Sequence, residues 1–455
     1  MKNMTLQNIA TACQGTYFGS PEALQKEVAG IAIDSRKMEK DWLFVATKGE
    51  RVDGHSFINQ VMENGAAAVI SEKELTDANF PYILVEDSFI ALKKIAAYYR
   101  EQLDIKVVGI TGSVGKTSTK EMIASVLSTK FKVQKTQKNF NNEVGLPLTV
   151  FSISDEHEVA VLEMGISDFG EMTRLTNIAK PDICVITNIG QCHLENLGDR
   201  DGVLKAKTEI FLGMKENGEV VLNGEDDKLL TVKNVAGKPV HYFSKTKTEE
   251  AEVYASNIVS RGLLGTNCTI HTQQGDMDVH IQMPGEHMVN NALTATVVGL
   301  LCNLTLEQIK EGIEKAETLA GRSHIIETEK YIVIDDCYNA NPVSMRAALD
   351  LLATAKGRKV AIIGSMFELG EKEEQLHYDT GVYAADKDID VIVALGQLGA
   401  KIYEGAKAAG EKEVYHFETV DEFLQQKDSV LKEKDTILVK ASHGMHLERI
   451  VENLK

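Results

Sequence analysis

The segment Gly109–Thr119 constrains the fold of this 455-residue chain more than any other. An apolar run before it, Ile105–Ile110, predicts a short buried strand, and Lys120–Leu127 after it predicts a helix. The residues between them read T-G-S-V-G-K-T. In such a turn, backbone N–H groups and the helix N-terminus point at a bound anion. A strand, a glycine turn and a helix therefore predict an α/β domain that holds a nucleotide phosphate.

Two side chains of this loop add to the prediction. Lys116 can direct a positive charge toward the β- and γ-phosphates, and Thr117 can give its hydroxyl to Mg²⁺. The common phosphate-loop pattern would place its first glycine at position 110, but the chain has Ile110 there and Gly112 further on. The loop is therefore a variant, and a plain glycine-rich turn with an exposed lysine is the alternative. Its candidate phosphate-binding residues are Gly112, Ser113, Val114, Gly115, Lys116, Thr117 and Ser118.

Composition excludes several classes of protein. The net charge of −18 argues against a general polyanion binder such as a DNA-binding protein. No apolar run approaches the roughly 20 residues that span a bilayer, and Met1–Gln7 lacks the apolar core of a signal peptide. The six cysteines are scattered, without a C-x-x-C pair, as is typical of reduced thiols in a cytosol. We expect a cytoplasmic protein that binds no nucleic acid and does not insert stably in a membrane.

Strand and helix patterns divide the chain into three blocks, because a chain this long exceeds one hydrophobic core. Residues 1–84 carry short apolar strands around one amphipathic helix, which predicts a small α/β domain. Residues 85–317 alternate strands with helices, which predicts a central ATPase-type domain with a mostly parallel sheet. Residues 318–455 alternate in the same way and predict a Rossmann-like, doubly wound domain. The predicted fold class is a three-domain α/β protein.

Polar side chains follow the strands of the central block, where ligands of parallel sheets bind. Glu163 ends the predicted strand Val159–Met164 and can bind Mg²⁺ or its waters, unless it is a surface glutamate that closes a strand. His193 follows the next strand, after Asn188, and can ligate a metal or contact phosphate; the alternative is a solvated loop histidine. Lys207 falls on the helix after that, where a lysine is by default solvated.

Further segments are rich in amides and carboxylates. Residues 138–147 offer amides for uncharged polar groups such as sugars and peptide bonds, or form a turn with Asx hydrogen bonds. Residues 284–292 place a histidine and two asparagines at a helix start, to cap the helix or to reach a base edge. Gly321–Arg322 and residues 335–342 lie near the start of the last block, which suggests a cleft closed by domain movement. The candidates in these segments are Asn142, Asn291, Arg322, Asp336, Asn339 and Asn341.

These motifs resemble, in order and over essentially the whole length, those of the Mur ligases, the ATP-dependent amino-acid and peptide ligases of bacterial cell-wall precursor synthesis. The glycine loop is similar to the ATP loop of that family. Four further groups of residues resemble the other motifs of that family: Glu163 with Asn188 and His193, Pro284–His287 with Asn291–Ala292, Gly321–Arg322, and Asp336–Pro342.

Within the family, the chain is most similar to the member that adds D-alanyl-D-alanine to UDP-N-acetylmuramoyl-tripeptide. The segments that carry this likeness are Asp34–Arg36, Leu43–Ala46, Asp53–His55, Asn141–Pro147, Tyr338–Pro342 and Phe367–Gly370. The resemblance implies an acid–amino-acid ligase that forms a C–N bond through an acyl phosphate. It also implies that both substrates are small molecules and that the protein is a monomer.

The resemblance assigns roles to individual residues. It implies catalytic roles for Lys116, His193 and Lys207. It implies a pair of Mg²⁺ ions, one held by Thr117 and Glu163 and the other by His193 and a carbamylated Lys207. ATP would be contacted by the glycine loop and by Asn291, Arg322 and Asp336. The other substrates would be contacted by Ser35, Arg36 and Lys48 at the UDP end, and by Asn142, Asn339 and Asn341.

Other functions stay open at this point. Another Mur-type ligase or a folylpolyglutamate synthase-type ligase shares the ATP chemistry, but the latter should lack the first block. An ATPase that uses hydrolysis as a mechanical switch is a rival of a different class. A catalytically silent homologue is a third possibility, against which the intact Lys116, Thr117 and Glu163 argue.

Overall fold

The computed structural model describes residues 1–50 and 52–455. Three main sheets follow one another along the chain, and helices pack against them. This architecture confirms the predicted three-domain α/β fold class. The domain boundaries at residues 84 and 317 stay a prediction.

The first sheet is small and mostly parallel. Its five strands lie in the order β1-β5-β4-β3-β2, and β1 pairs with β5 antiparallel. The strands are β1 (Thr16–Phe18), β2 (Ile31–Ala32), β3 (Leu43–Val45), β4 (Ala68–Ser71) and β5 (Tyr82–Leu84). The helices are α1 (Leu6–Cys13), α2 (Pro21–Leu24), α3 (Ile58–Glu63) and α4 (Ser88–Glu101), the last leading to the central domain.

The central sheet carries the phosphate loop. Its nine strands lie in the order β16-β15-β14-β13-β10-β9-β6-β8-β7, parallel from β7 through β14 and antiparallel from β14 to β16. The strands are β6 (Lys106–Thr111), β7 (Val133–Lys135), β8 (Val159–Glu163), β9 (Ile183–Ile186), β10 (Glu219–Asn223), β13 (His241–Ser244), β14 (Ala251–Ser260), β15 (Thr266–Thr272) and β16 (Gly275–Ile281), with a separate hairpin of β11 (Asn234–Val235) and β12 (Lys238–Pro239). The helices are α5 (Lys116–Leu127), α6 (Gly145–Phe151), α7 (Glu171–Ala179), α8 (Leu194–Leu197), α9 (Arg200–Thr208), α10 (Met288–Leu301) and α11 (Leu306–Lys315).

The third sheet has six strands in the order β17-β18-β22-β19-β20-β21, parallel apart from the β17–β18 pair. The strands are β17 (His324–Glu327), β18 (Ile332–Asp335), β19 (Lys359–Gly364), β20 (Val391–Leu395), β21 (Glu413–Phe417) and β22 (Thr436–Lys440). The helices are α12 (Pro342–Ala353), α13 (Glu373–Asp386), α14 (Gly399–Ala409), α15 (Val420–Val430) and α16 (Glu448–Leu454). The apolar runs Tyr331–Asp335, Lys359–Gly364, Val391–Gly396 and Thr436–Lys440 predict four of these strands, whereas β17 and β21 are not predicted.

The hydrophobic core does not stop at the first proposed boundary. One buried cluster joins Leu6 and Ile9 of α1 to Leu92 and Ile95 of α4, and continues through the face of the central sheet. Because this apolar surface is shared, residues 1–84 stabilise the central domain as well as carrying their own sheet. Within the described residues, no helix has both the length and the apolar character needed to cross a bilayer.

Candidate active site

The glycine loop connects β6 to α5, and two glycines shape it. Gly112 has φ +151°, and a Cβ there would lie 1.9 Å from Thr187 Oγ1. Gly115 has φ +79° and is the N-cap of α5. Both conformations favour glycine because side chains with a Cβ rarely adopt them. The helix therefore begins at Lys116, four residues earlier than the sequence predicted, and its unpaired N–H groups follow the loop directly.

The segment after β9 holds the loop in place. Asn188 Oδ1 accepts a hydrogen bond from Val114 N at 3.0 Å, and Asn188 Nδ2 donates to Val114 O at 3.0 Å. Thr187 Oγ1 donates to the same carbonyl at 2.7 Å. Gly190 N donates to Ser113 Oγ at 2.8 Å. The loop is therefore fixed before any phosphate arrives, as an anion site requires.

Lys116 folds back over the loop that precedes it. Its Nζ donates to Gly112 O at 2.8 Å. Burial lowers the pKa of Lys116; the charges of Glu163 and Cys192 oppose that shift, and the Arg322 guanidinium adds to it. A lysine in this position can exchange its carbonyl partner for a phosphate oxygen, with which it gains a charge-assisted bond.

Glu163 and Thr117 form a candidate cation site. Glu163 is 2% exposed, and its Oε1 accepts from Thr117 Oγ1 at 3.3 Å and from Asn141 Nδ2 at 2.8 Å. Its Oε2 is buried without a hydrogen-bond partner among the described residues. A buried carboxylate oxygen with unused lone pairs, beside a hydroxyl and the phosphate loop, fits a hard divalent cation such as Mg²⁺. Sequence analysis did not single out Asn141, which orients this carboxylate.

Lys120, a fully buried lysine that was not predicted from the sequence as a site residue, lies next to Glu163. Lys120 Nζ donates to Thr136 O at 2.7 Å, pairs with Glu121 at 2.9 Å and lies 4.0 Å from Glu163 Oε2. Glu121 pairs in turn with Lys135. Opposite charges therefore balance one another in this buried cluster, which keeps the Glu163 carboxylate from being an isolated buried charge.

Lys207 is not the solvated lysine that its place on a helix predicts by default. It is 1% exposed, and no carboxylate of the described residues lies within ion-pair distance of its Nζ. Burial, followed by the nearby charge of Lys116, lowers the pKa of Lys207 to about 8, against a weaker opposing effect of Cys192. An amine of such a pKa is partly neutral near pH 7, and only a neutral amine can react with CO₂.

His193 meets a carboxylate of the C-terminal domain. Its Nδ1 lies 2.8 Å from Glu368 Oε2, and both residues have left-handed backbones, with φ +50° and +62°. Burial lowers the pKa of His193, Glu368 opposes this shift, and Lys207 and Lys116 add to it. Glu368 lies in the family-like segment Phe367–Gly370, but its sequence context indicates no role for it.

A cavity of about 580 Å³ brings most of the candidate residues together. The phosphate loop forms one wall, and residues of the C-terminal domain face it. The predicted residues that line it are Ser113, Val114, Gly115, Lys116, Thr117, Ser118, Asn142, Glu163, His193, Asn291, Arg322, Asp336, Asn339 and Asn341. A cleft between domains, expected from the sequence, is present in the structure.

Asp336 is held by neighbours in its own domain. Its Oδ2 pairs with Lys440 Nζ at 2.7 Å, and its Oδ1 accepts from Ser323 N at 2.9 Å. Lys440 is 2% exposed and also donates to Asn339 O at 2.9 Å. Nucleotide binding by Asp336 stays a prediction, since each of its oxygens already has a protein partner.

Arg322 and Asn291, predicted to contact the nucleotide, line the same cavity. The guanidinium carbon of Arg322 lies 3.9 Å from the centre of the Tyr338 ring, a close cation–π contact. Tyr338 thus orients the arginine. Asn291 has a different contact: its Oδ1 accepts a hydrogen bond from Thr119 Oγ1 at 2.9 Å.

Two asparagines proposed for substrate binding also accept hydrogen bonds from backbone N–H groups at helix starts. Asn142 Oδ1 accepts from Gly145 N at 2.9 Å, and Asn341 Oδ1 accepts from Ser344 N at 2.9 Å. Each side-chain oxygen thus satisfies N–H groups at the start of α6 or α12. Only their amide N–H groups remain for a ligand in the cavity.

Ser35 and Arg36 lie in a short 3-10 helix of the first domain, Ser35–Lys37, and Lys48 follows in a separate loop; all three are outside the lining of this cavity. The turn Ser35–Lys37 approaches the central domain, since Lys37 Nζ lies 5.8 Å from the centre of the Phe140 ring. Phe140 belongs to the amide-rich segment whose next residues line the cavity. The first domain is therefore adjacent to one end of the cleft.

The fold and the site define a class of protein: a phosphate-loop α/β protein whose nucleotide cavity is bounded by a second α/β domain. Sequence profiles described as "Mur ligase family, catalytic domain", "Mur ligase middle domain" and "Mur ligase, glutamate ligase domain" match residues 27–109, 110–299 and 321–443. The chain belongs to the Mur ligase family.

Relatives within that family match the chain over its whole length. It is 39% identical to the UDP-N-acetylmuramoyl-tripeptide–D-alanyl-D-alanine ligase of Bacillus subtilis (strain 168), over 100% of this chain and 99% of that one. A crystal structure of MurF from Acinetobacter baumannii superposes with a TM-score of 0.90 at 35% identity, covering 99% and 98% of the two chains. MurF ligase from Thermotoga maritima in complex with ADP gives 0.81 at 28% identity, covering 93% and 96%.

Proposed function

We propose that this protein uses ATP to join D-alanyl-D-alanine to UDP-N-acetylmuramoyl-tripeptide, as a step of peptidoglycan precursor synthesis. The relatives that match the whole chain are named for this ligation. The observation that carries the proposal is the cavity in which a phosphate loop, a buried carboxylate and the C-terminal domain meet. We expect the protein to act in the cytoplasm as a monomer.

The chemistry needs a site that stabilises negative charge on phosphate oxygens. The tripeptide carboxylate attacks the γ-phosphorus of ATP, ADP leaves, and an acyl phosphate forms. The amine of D-alanyl-D-alanine then attacks the acyl carbon, phosphate leaves, and the amine loses a proton. Lys116 and the N–H groups of the loop can stabilise the charge that develops in the phosphoryl transfer.

Two cation sites are part of the proposal. Thr117 and Glu163 would hold one Mg²⁺; this role is supported by Glu163 Oε2, which has no hydrogen-bond partner among the described residues. His193 and a carbamylated Lys207 would hold the other, supported by the burial of Lys207 and its pKa of about 8. Bound Mg²⁺ would neutralise phosphate charge during the transfer.

The remaining assignments concern the two ends of the cleft. Ser35, Arg36 and Lys48 would bind the UDP end; for Ser35 and Arg36 this is supported by the proximity of the turn Ser35–Lys37 to Phe140. Asn142, Asn339 and Asn341 would contact the peptide substrates through their amides. Asn291, Arg322 and Asp336 would contact the nucleotide. The three domains would divide at residues 84 and 317.

The test is phosphate release from ATP with each substrate omitted in turn. We expect release, and a product of the added mass of the dipeptide, only with UDP-N-acetylmuramoyl-tripeptide and D-alanyl-D-alanine together. Release that needs neither substrate would favour a switch ATPase, and ligation of glutamate to a folate would favour the folylpolyglutamate synthase-type alternative. That alternative is not favoured, because the family match includes the first domain.

A further inference from the structure

We propose that Glu368 is a positioning residue for His193: it fixes the imidazole with its proton on Nδ1, so that Nε2 is free to ligate a divalent cation. Because Glu368 belongs to the C-terminal domain, the cation site of His193 is complete only when that domain lies against the central one. The inference rests on the proposed function through the metal-binding role of His193.

The contact itself decides the tautomer. His193 Nδ1 lies 2.8 Å from Glu368 Oε2. A carboxylate oxygen attracts an N–H group and repels the lone pair of an unprotonated ring nitrogen, so this contact favours a proton on Nδ1. In a neutral imidazole the other nitrogen then carries the lone pair, and His193 lines the cavity. Metal-binding histidines are commonly oriented by a carboxylate on their second nitrogen in this way.

The loop that presents Glu368 is fixed by its neighbours. Met366 N donates to His377 Nε2 at 2.8 Å, and Phe367 N donates to Ser442 Oγ at 2.9 Å. Glu368 follows directly with φ +62°. A non-glycine residue keeps this strained conformation only where the surrounding structure enforces it, which is common at functional sites. The fold thus places the backbone of Glu368, from which its largely exposed side chain reaches His193.

The contact also joins two domains. Among the ion pairs of the described residues, His193–Glu368 is the one that connects residues 85–317 with residues 318–455. Movement of the C-terminal domain away from the central sheet would remove the acceptor from Nδ1 and leave the ring free to rotate and change tautomer. Cation affinity and domain closure are therefore linked, and each favours the other.

The test is a double-mutant cycle on Mn²⁺ binding to the full chain with ADP, followed by electron paramagnetic resonance of free Mn²⁺. We expect Glu368→Ala and His193→Gln each to weaken Mn²⁺ binding about tenfold or more. The double variant should bind no more weakly than His193→Gln alone, because both changes remove one ligand. Glu368→Gln keeps an acceptor oxygen and should lie between wild type and Glu368→Ala.

Control measurements separate positioning from a general structural effect. Glu371→Ala removes an exposed carboxylate from the same loop region and should bind Mn²⁺ like wild type. Glu368 has a side chain that is 61% exposed, so its variants should unfold at the wild-type temperature. In ¹⁵N spectra of histidine-labelled protein, His193 should be protonated at Nδ1 in wild type and populate both tautomers in Glu368→Ala.

Three results would overturn the inference: wild-type Mn²⁺ affinity in Glu368→Ala, losses that multiply in the double variant, or an unchanged tautomer. Wild-type affinity in His193→Gln would remove the metal role of His193 and the inference with it. Failure of the proposed function is seen separately, as absence of ligation by the wild-type protein itself.

Discussion

Asn188→Ala should weaken nucleotide binding without unfolding the protein. The asparagine makes two hydrogen bonds of 3.0 Å to the backbone of Val114, in the middle of the phosphate loop. They hold the loop in the shape that points its N–H groups at a phosphate. Alanine removes both bonds and leaves Val114 N without this partner.

The size of the effect follows from these contacts. Each hydrogen bond contributes about 1 kcal/mol net, so their loss destabilises the ordered loop by about 2 kcal/mol. Since Thr187 Oγ1 still donates to Val114 O, this figure is an upper value. If the loop must be reordered when the nucleotide binds, the dissociation constant for ATP should rise up to about 30-fold.

Isothermal titration calorimetry with ATP measures this constant, and the thermal unfolding temperature checks the fold. Asn234→Ala, at an exposed position of β11, is the matched control and should bind ATP like wild type. Asn188→Ala with wild-type affinity and an unchanged unfolding temperature would refute the reasoning, because it would mean that the loop does not need this brace.

Three further predictions concern single groups. Lys116→Ala should lower the ligation rate at least about 100-fold, near 3 kcal/mol of transition-state stabilisation, with an unchanged unfolding temperature; a near wild-type rate would show that the loop is not the ATP site. If Lys207 is carbamylated, protein prepared without CO₂ should regain activity when bicarbonate is added, and acetate should partly restore activity to Lys207→Ala. A ¹³C carbamate signal should be present in wild type and absent in Lys207→Ala. Active wild-type protein without that signal would count against carbamylation. His377 Nε2 accepts a hydrogen bond from Met366 N, and burial lowers the pKa of His377. At a pH just below the ordinary histidine pKa of about 6.5, His377 therefore takes up a proton in the unfolded chain but not in the folded one. The contribution of His377 to stability should thus be constant above about pH 6.5 and fall as the pH drops toward the folded-state pKa. In thermal unfolding, His377→Gln should reduce the pH dependence in that range; equal slopes in the two proteins would exclude His377 as a cause.

Local sequence carried the prediction of the phosphate loop and of the buried parallel strands around it, β6, β8, β9 and β10. The loop depends on two glycine backbones and a helix start within a few residues, so its shape is visible in the sequence. The start of α5 was wrong by four residues because Gly115 already ends the loop. The strands β17 and β21 were missed because each lies at an edge of the third sheet, where the apolar pattern of a strand is weaker than at the centre of the sheet.

The roles of individual polar residues were less visible. Substrate binding by Asn142 and Asn341 stays a prediction; the structure adds that their side-chain oxygens accept hydrogen bonds from N–H groups at helix starts, a use that the sequence did not reveal. The sequence assigned no individual role to Lys120 and Asn141, because their partners, Thr136 for Lys120 and Glu163 for Asn141, lie on other elements of the fold.

The sequence by itself determined the class of fold, the nucleotide loop and the family motifs, since these rest on hydrophobic periodicity and on conformations of neighbouring residues. Only the tertiary structure decided that Lys207 is buried and that Glu368 meets His193 across two domains. Burial and charge contacts of this kind are set by which distant elements pack together. No local pattern records that packing, because a lysine or a glutamate has the same neighbours in sequence whether it faces water or a partner domain.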